Sequence, residues 1–332
     1  MERSVRRRDF LAAAAAAATM SAPGAWAQRT STVPRVGVLW HAGSAEEEDV
    51  YLSVVKKAFG NLGYVEGKTI NLEHRFPAER AELFRSMAQE LAASKLDAII
   101  AVTELGAREL RSATQTTPIV LVLAPDPVAA GLVDSLPHPG GNITGLSLMS
   151  VDLSGKRLAL LKEAVPGLAR LTLMVDPKDP AAKRVVSSSQ TAAKELGLEL
   201  RVVEVPSPAA IDSALAEFAA SGSEALLVGP GSMMFNERAR IGAFVSAKKI
   251  PTEVAVAEMV PFGPILSYGP DFPDYFRRAV AYVDKILKGA KPADLPVEQP
   301  SRFLLTINMK AAKSIGIAIP PALLTSADDV LE

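Results

Sequence analysis

Short runs rich in valine, isoleucine and leucine recur along the chain, and between most of them lies a stretch whose apolar residues are spaced three and four apart. The runs fall at 36–39, 70–73, 98–102, 119–122, 143–147, 171–175, 200–205, 225–228 and 265–267. A strand that is apolar at successive positions has both faces covered, and strands separated by helices pair in parallel with helices on either side. The alternation therefore predicts an α/β fold of parallel sheets. Nine runs are more than one compact domain usually holds, and the pattern restarts after Pro166-Gly167. Two doubly wound lobes joined by a short connection are the economical solution, and 332 residues suit two domains of about 150 residues each.

The intervening segments read as helices. Leu52, Val55, Phe59 and Leu62 share a face, Ser44 and Glu47 have capping-box spacing, and Gly60 and Gly63 mark the exit. Leu83, Met87 and Leu91 make a second stripe, and Leu158, Leu161 and Val165 a third. Further on, Phe272, Phe276, Ala279, Val280, Val283 and Ile286 line one face, with Pro273 in the first turn and Gly289 at the end. KGAKPADLPVEQPSRF then reads as an extended surface or interlobe segment, leading to a strand at 303–307 and a closing helix from Asn308.

The first 27 residues carry Arg3, Arg6, Arg7 and Arg8, a short apolar run and then Ala25-Trp26-Ala27. That is the pattern of a signal peptide cleaved near Ala27, and Arg7-Arg8-Asp9-Phe10-Leu11 resembles the twin-arginine form of it. The apolar run is shorter than the roughly 20 residues a spanning helix needs. With no cysteine in the chain there is neither a disulfide framework nor a lipidated cysteine to tether it. The expectation is a freely periplasmic protein without a membrane anchor. Cleavage removes four arginines and two acids from a chain of net charge -1, leaving a mildly acidic one with no footprint for nucleic acid or an anionic membrane.

Several motifs fail on context. GNLGYVEGKT lacks the P-loop spacing and follows a helix, and Gly229-Pro230-Gly231 has Met234 where a dinucleotide loop needs a third glycine. His41, His74 and His138 are not at metal-ligand spacing, and there is no G-x-S-x-G elbow. No catalytic residue, metal or cofactor is expected. PHPGGNITG, residues 137–145, contains a glycosylation sequon and a glycine pair, yet reads as a turn that launches the strand 143–147.

In parallel α/β lobes, ligands bind beyond the carboxyl ends of the strands, where helix N-termini converge. This selects Trp40, His41, Gly43 and Ser44; then Thr103 and Glu104; then Asp126 with Pro127 and Val128. In the second half it selects Asp176, Lys178 and Asp179, then 229–232 beginning with Gly229, then Glu253, and finally Tyr268, Gly269 and Asp271. Acids, hydroxyls, helix-start amides and aromatics suit an amino-acid-like ligand. Each residue also has a plainer reading: Ser44 as a cap, Asp126 and Asp176 as turn acids, Trp40 as core, Glu104 and Lys178 as rim charges.

Beyond these patterns, LGYVEGKTINLEHRF, IVLVLAPDPVAAGLVDSLPHPGGNITGLSLMSVDLSGKRLALLKEAVPGL and the stretch from SYGPDFPDYF to the C-terminus resemble ABC transporter substrate-binding proteins of the tryptophan/tyrosine-binding type. The resemblance implies the type I periplasmic-binding fold, two α/β lobes joined by a three-crossover hinge. It places 34–148 plus 271–300 in the N-terminal lobe and 149–270 plus 301–332 in the C-terminal lobe. Asp126-Pro127-Val128, Gly145, Ser147 and Ser267-Tyr268-Gly269 match cleft-facing motifs of that family. Thr103-Glu104-Leu105 departs from it by adding a carboxylate, and Met259 and Pro261 stand where an aromatic is frequent, which points away from tryptophan as ligand. The implied role is the periplasmic, monomeric solute-binding component of an ABC importer, partnered by a permease and its cytoplasmic ATPase. Its ligand would be a small amino-acid-like or aromatic organic molecule. A ligand-presenting partner of a membrane receptor uses the same fold, and a carboxylate-based periplasmic enzyme is the remaining alternative.

Overall fold

Five of the apolar runs pair into one parallel sheet, in the spatial order 70–73, 36–39, 98–102, 119–122 and 143–147. The structure, a computed structural model, describes residues 33–148, 153–300 and 302–332, so the signal peptide expected at 1–27 lies outside the described residues. In this first lobe the chain runs β1 (Arg35–Leu39), α1 (Asp49–Asn61), β2 (Asn71–Arg75), α2 (Ala81–Ala93), β3 (Ala98–Thr103), α3 (Glu104–Ala113), β4 (Ile119–Ala124) and β5 (Ile143–Ser147). Val36 lies opposite both Leu72 and Ala98, and Ile99 opposite Ile119, so the central strands are apolar on both faces as the runs required.

The second lobe holds α4 (Ser154–Ala164), β6 (Arg170–Val175), α5 (Ala182–Glu195), β7 (Glu199–Glu204), α6 (Ile211–Ala220), β8 (Ala225–Val228), α7 (Ser232–Asn236), α8 (Arg238–Lys248), β9 (Thr252–Val254) and β10 (Leu266–Pro270). The chain then forms α9 (Phe272–Leu287), which packs on α1, β3, β4 and β5 of the first lobe. It returns to the second lobe as β11 (Phe303–Asn308), α10 (Met309–Ser314), α11 (Pro321–Ser326) and β12 (Asp329–Leu331). The second sheet has the order β12-β11-β10-β9-β8-β6-β7 and is parallel except where β11 runs antiparallel to β10. The chain passes between the lobes three times: between Leu148 and Leu153, between β10 and α9, and between Pro300 and Arg302.

Several boundaries differ from the sequence reading, each for a local reason. Ser44 Oγ does accept from the Glu47 N–H at 3.3 Å and Glu47 accepts from the Gly43 N–H at 2.9 Å, but this pairing closes a turn ahead of α1, which starts only at Asp49. In α2 the fully buried stripe is Phe84, Ala88 and Leu91, with Leu83 and Met87 only half-buried. Tyr268, Gly269 and Pro270, read as a loop, extend β10 because β11 pairs with them. β9 is three residues with Glu253 at its centre, and β12 is an exposed edge, so neither shows as an apolar run.

PHPGGNITG is a turn. Ser135 and His138 close it, Asp134 donates to the Pro139 carbonyl at 3.0 Å, and Gly140 sits at φ +82°. The Asn142 amide supports a neighbouring turn instead of its own, donating to the carbonyls of Thr114 and Thr117 at 3.3 and 2.8 Å. The proline-rich segment that follows α9 lies along β5: Ser147 donates to the Glu298 carbonyl and Glu298 to that of Gly145, both at 2.9 Å. Gly145 has φ +131°, and a Cβ there would stand 2.1 Å from the Leu121 carbonyl oxygen. Gly145→Ala therefore strains the backbone and splits β4 from β5. We expect it to cost more than about 2 kcal/mol in urea denaturation, whereas Gly167→Ala, at φ +88° in open space, should cost about 1 kcal/mol.

Candidate functional site

The carboxyl ends of both sheets face one cavity of about 890 Å³, walled by residues of each lobe. That volume is near the upper end of the ~300–1,000 Å³ usual for small-molecule sites. Around it the lobes touch directly. The Tyr51 hydroxyl of α1 donates to Glu258 at 3.2 Å, the Arg238 guanidinium donates to the Glu47 carbonyl at 3.2 Å, and Arg184 lies 3.6 Å from Asp126.

One wall is aromatic. Tyr51 stacks on Phe276 at 4.6 Å between ring centres and reaches Phe235 of α7 at 5.3 Å, while Phe272 at the start of α9 and Tyr268 of β10 also line the space. Because Phe276 in turn stacks on Trp40 at 5.8 Å, the wall continues into the core of the first lobe.

The opposite character comes from carboxylates: Glu79 and Glu104 of the first lobe, Asp176 and Asp179 of the second. Glu104 is 5 % exposed at the first turn of α3 and binds Arg108 one turn on at 2.8 Å. Burial raises its carboxyl above the ordinary range against the opposing charge of Arg108. Burial likewise raises Asp176, and pushes Asp179 up to about 6, with the neighbouring charges of Asp176, Glu104 and Glu79 adding to the effect. Asp179 Oδ1 accepts from the Ala181 N–H at 2.7 Å, so the carboxyl is held at the entry to α5. His41 is fully enclosed between Glu79 on Nδ1 at 3.0 Å and Glu48 on Nε2 at 3.3 Å. Burial opposes its charge, but the two carboxylates outweigh burial and raise its pKa.

A buried cation completes the lining. Arg157 of α4 is 2 % exposed, and its Nε donates to both oxygens of Glu253, at 2.8 and 3.0 Å. Its Nη2 donates to the Val228 carbonyl at 2.7 Å, and Glu253 also accepts from the Tyr268 N–H at 3.2 Å. Burial pushes the Glu253 carboxyl up while the charge of Arg157 pulls it back. Among the described residues no group of His, Asp or Glu is arranged to hold a metal ion.

Of the residues selected from sequence, His41, Thr103, Glu104, Asp176, Tyr268 and Gly269 line the cavity, together with Lys178, Asp179 and 230–232. Thr103 also caps α3 through the Gly106 N–H at 3.2 Å. The others lie elsewhere. Trp40 is wholly buried, its indole N–H donating to His74 at 3.0 Å, and Ser44 closes its turn. Asp126 accepts from the Ala129 N–H at 2.9 Å, and Ser147 gives its carbonyl to the Tyr275 hydroxyl at 2.9 Å. Gly229 packs under the Met174 carbonyl, Glu253 stands behind Arg157, and Asp271 caps α9 through the Asp274 N–H at 2.9 Å.

Sequence reasoning passed over Tyr51, Glu79, Arg157, Phe235 and Phe272. Glu79 follows β2, whose carboxyl end the strand-end rule includes but the selection skipped. Phe272 belongs to a helical stripe that reads as core, Tyr51 and Phe235 stand in no pattern, and Arg157 reads as one more charge in a helical KRLALLKE.

The family model described as ABC transporter substrate binding protein matches residues 44–331. Among characterised relatives, a tyrosine-binding protein of Clostridioides difficile (strain R20291) is 25% identical over 262 residues, 79% of this chain and 75% of that protein. An ABC domain from Streptococcus pneumonia in complex with L-Trp is 25% identical and superposes with a TM-score of 0.81, covering 90% of this chain and 100% of that one. A ligand-free, open substrate binding protein from Clostridium difficile, 23% identical, covers 90% of this chain and 99% of that one at a TM-score of 0.64.

Because the folded Asp179 carboxyl titrates near 6, above its unfolded value of about 3.9, the unliganded protein loses stability as pH rises through that interval. Asp179→Asn keeps an acceptor for the Ala181 N–H and removes the ionisation. Between pH 4 and pH 7 the variant should gain about 1 kcal/mol or more relative to wild type in chemical denaturation.

Proposed function

The chain belongs to the ABC transporter substrate binding proteins, and from that premise we propose that it is the periplasmic component of an importer, capturing a small amino-acid-like ligand between its lobes. The observation that carries this reading is the two-sided cavity: Tyr51, Glu79 and Glu104 from one lobe face Arg157, Asp176 and Asp179 from the other. A ligand touching both sets stabilises the closed arrangement over the open one, and only such differential affinity shifts the equilibrium. The two lobes that close on the ligand are those expected from the sequence, 34–148 with 271–300 and 149–270 with 301–332. The carboxylates suit an ammonium group, the aromatic wall an apolar or aromatic side chain. The signal pattern at 1–27 supports the location, and the importer role supplies the partners, a permease and its cytoplasmic ATPase.

Thermal denaturation against a panel of L-amino acids and their aromatic analogues tests the reading. A true ligand at 100 times its Kd should add about 2.7 kcal/mol of stability, without chemical change in the compound. Absence of a shift with every amino acid, or turnover of any, would contradict it. With a ligand bearing an ammonium group, affinity should rise as pH increases through about 6, where Asp179 ionises, and calorimetric titration at pH 5 and 7.5 reads that directly.

A further inference from the structure

We propose that Arg157, held from behind by Glu253, is the anchor for a carboxylate on the ligand. This rests on the amino-acid reading of the cavity and specifies which end of the molecule goes where.

A carboxylate buried in the cavity is bound most strongly by a cation with an N–H free to donate. Four other basic side chains border the same space, and each is less suited. Arg108 is half exposed and paired with Glu104, Arg80 is 60% exposed and paired with Glu82, Lys178 is exposed, and His41 is enclosed by Glu48 and Glu79. Arg157 is 98 % shielded from solvent yet lines the cavity, and its Nε and Nη2 are both engaged on Glu253 and Val228. Among the described residues nothing accepts from its Nη1. The guanidinium is planar, so fixing two of its nitrogens fixes the direction of the third. An oriented, desolvated donor with no protein acceptor is the counterpart of an acid group carried by a ligand, at the opposite charge from Asp176 and Asp179. Glu253 touches nothing in the cavity itself and acts by positioning.

Calorimetric titration of the wild-type protein with L-tyrosine and L-tryptophan, each against its amide, separates this inference from the reading it rests on. The amides keep the ring and the amino group but lose the carboxylate. The acid should bind on the order of 10- to 100-fold more tightly than the amide, the worth of one hydrogen bond to a charged group. Arg157→Gln combined with Glu253→Gln leaves a neutral, mutually bonded pair in place of the ion pair, and should bring acid and amide to equal affinity. Equal affinities in the wild type, or a preference that survives in the double variant, would overturn the anchor while leaving the cavity as the amino-acid site. Failure of both acids and both amides to bind the wild type would remove the aromatic-amino-acid reading and the anchor together. If the double variant does not fold, the acid-to-amide ratio of the wild type decides alone.

Discussion

The pairing of Arg157 with Glu253 is the contact on which the second half of the cavity depends. It joins α4, the first helix after the chain enters the second lobe, to β8 through Val228, to β9 through Glu253 and to β10 through the Tyr268 amide. Two charges this deeply buried carry a large desolvation cost, and well-packed apolar residues in their place are generally no less stable. Removing one partner alone leaves an uncompensated charge at a cost of about 3–5 kcal/mol. The pair therefore makes physical sense as a device that fixes a guanidinium in space more than as a source of stability. It also sets where the carboxyl ends of three neighbouring strands stand relative to the helix that follows the first crossover.

The first lobe contributes in a different way. Its share of the cavity is an apolar column, Trp40 on Phe276 on Tyr51, that reaches Phe235 of the opposite lobe. Around that column the lobes meet through few polar contacts: Tyr51 on Glu258, Arg238 on the Glu47 carbonyl, Asn236 beside His41 and Glu79. Hydrogen bonds to charged groups contribute about 1.5–3 kcal/mol each, so a few of them hold the lobes together by only a modest margin. In the proposed function, a ligand that bridges the acids of both lobes and the guanidinium would supply the difference. α9 is carried on the first sheet although it follows β10 of the second.

How far the sequence reveals this depends on what kind of signal each residue leaves. Ten of the strands and the α9 stripe announce themselves as apolar runs or periodic faces, so the two-lobe fold is legible without coordinates. β9 is not, because Glu253 interrupts a run that is only three residues long, and β12 is an exposed edge paired to β11. The strand-end rule finds His41, Glu104 and Asp176 because it depends on topology, but topology does not give side-chain direction. Trp40 and His41 are adjacent, and alternation along the chain sends one into the core and the other to the cavity. Arg157 lies on a helix, not at a strand end, and only its distance to Glu253, 96 residues away, turns an ordinary helical arginine into a site residue.

A crystal structure of the protein with L-tyrosine bound should show closed lobes, the ligand in contact with Tyr51 or Glu104 on one side and Asp176 or Asp179 on the other, and its carboxylate within hydrogen-bonding distance of Arg157 Nη1. A ligand seated on one lobe alone, with the Arg157 guanidinium untouched, would contradict this arrangement.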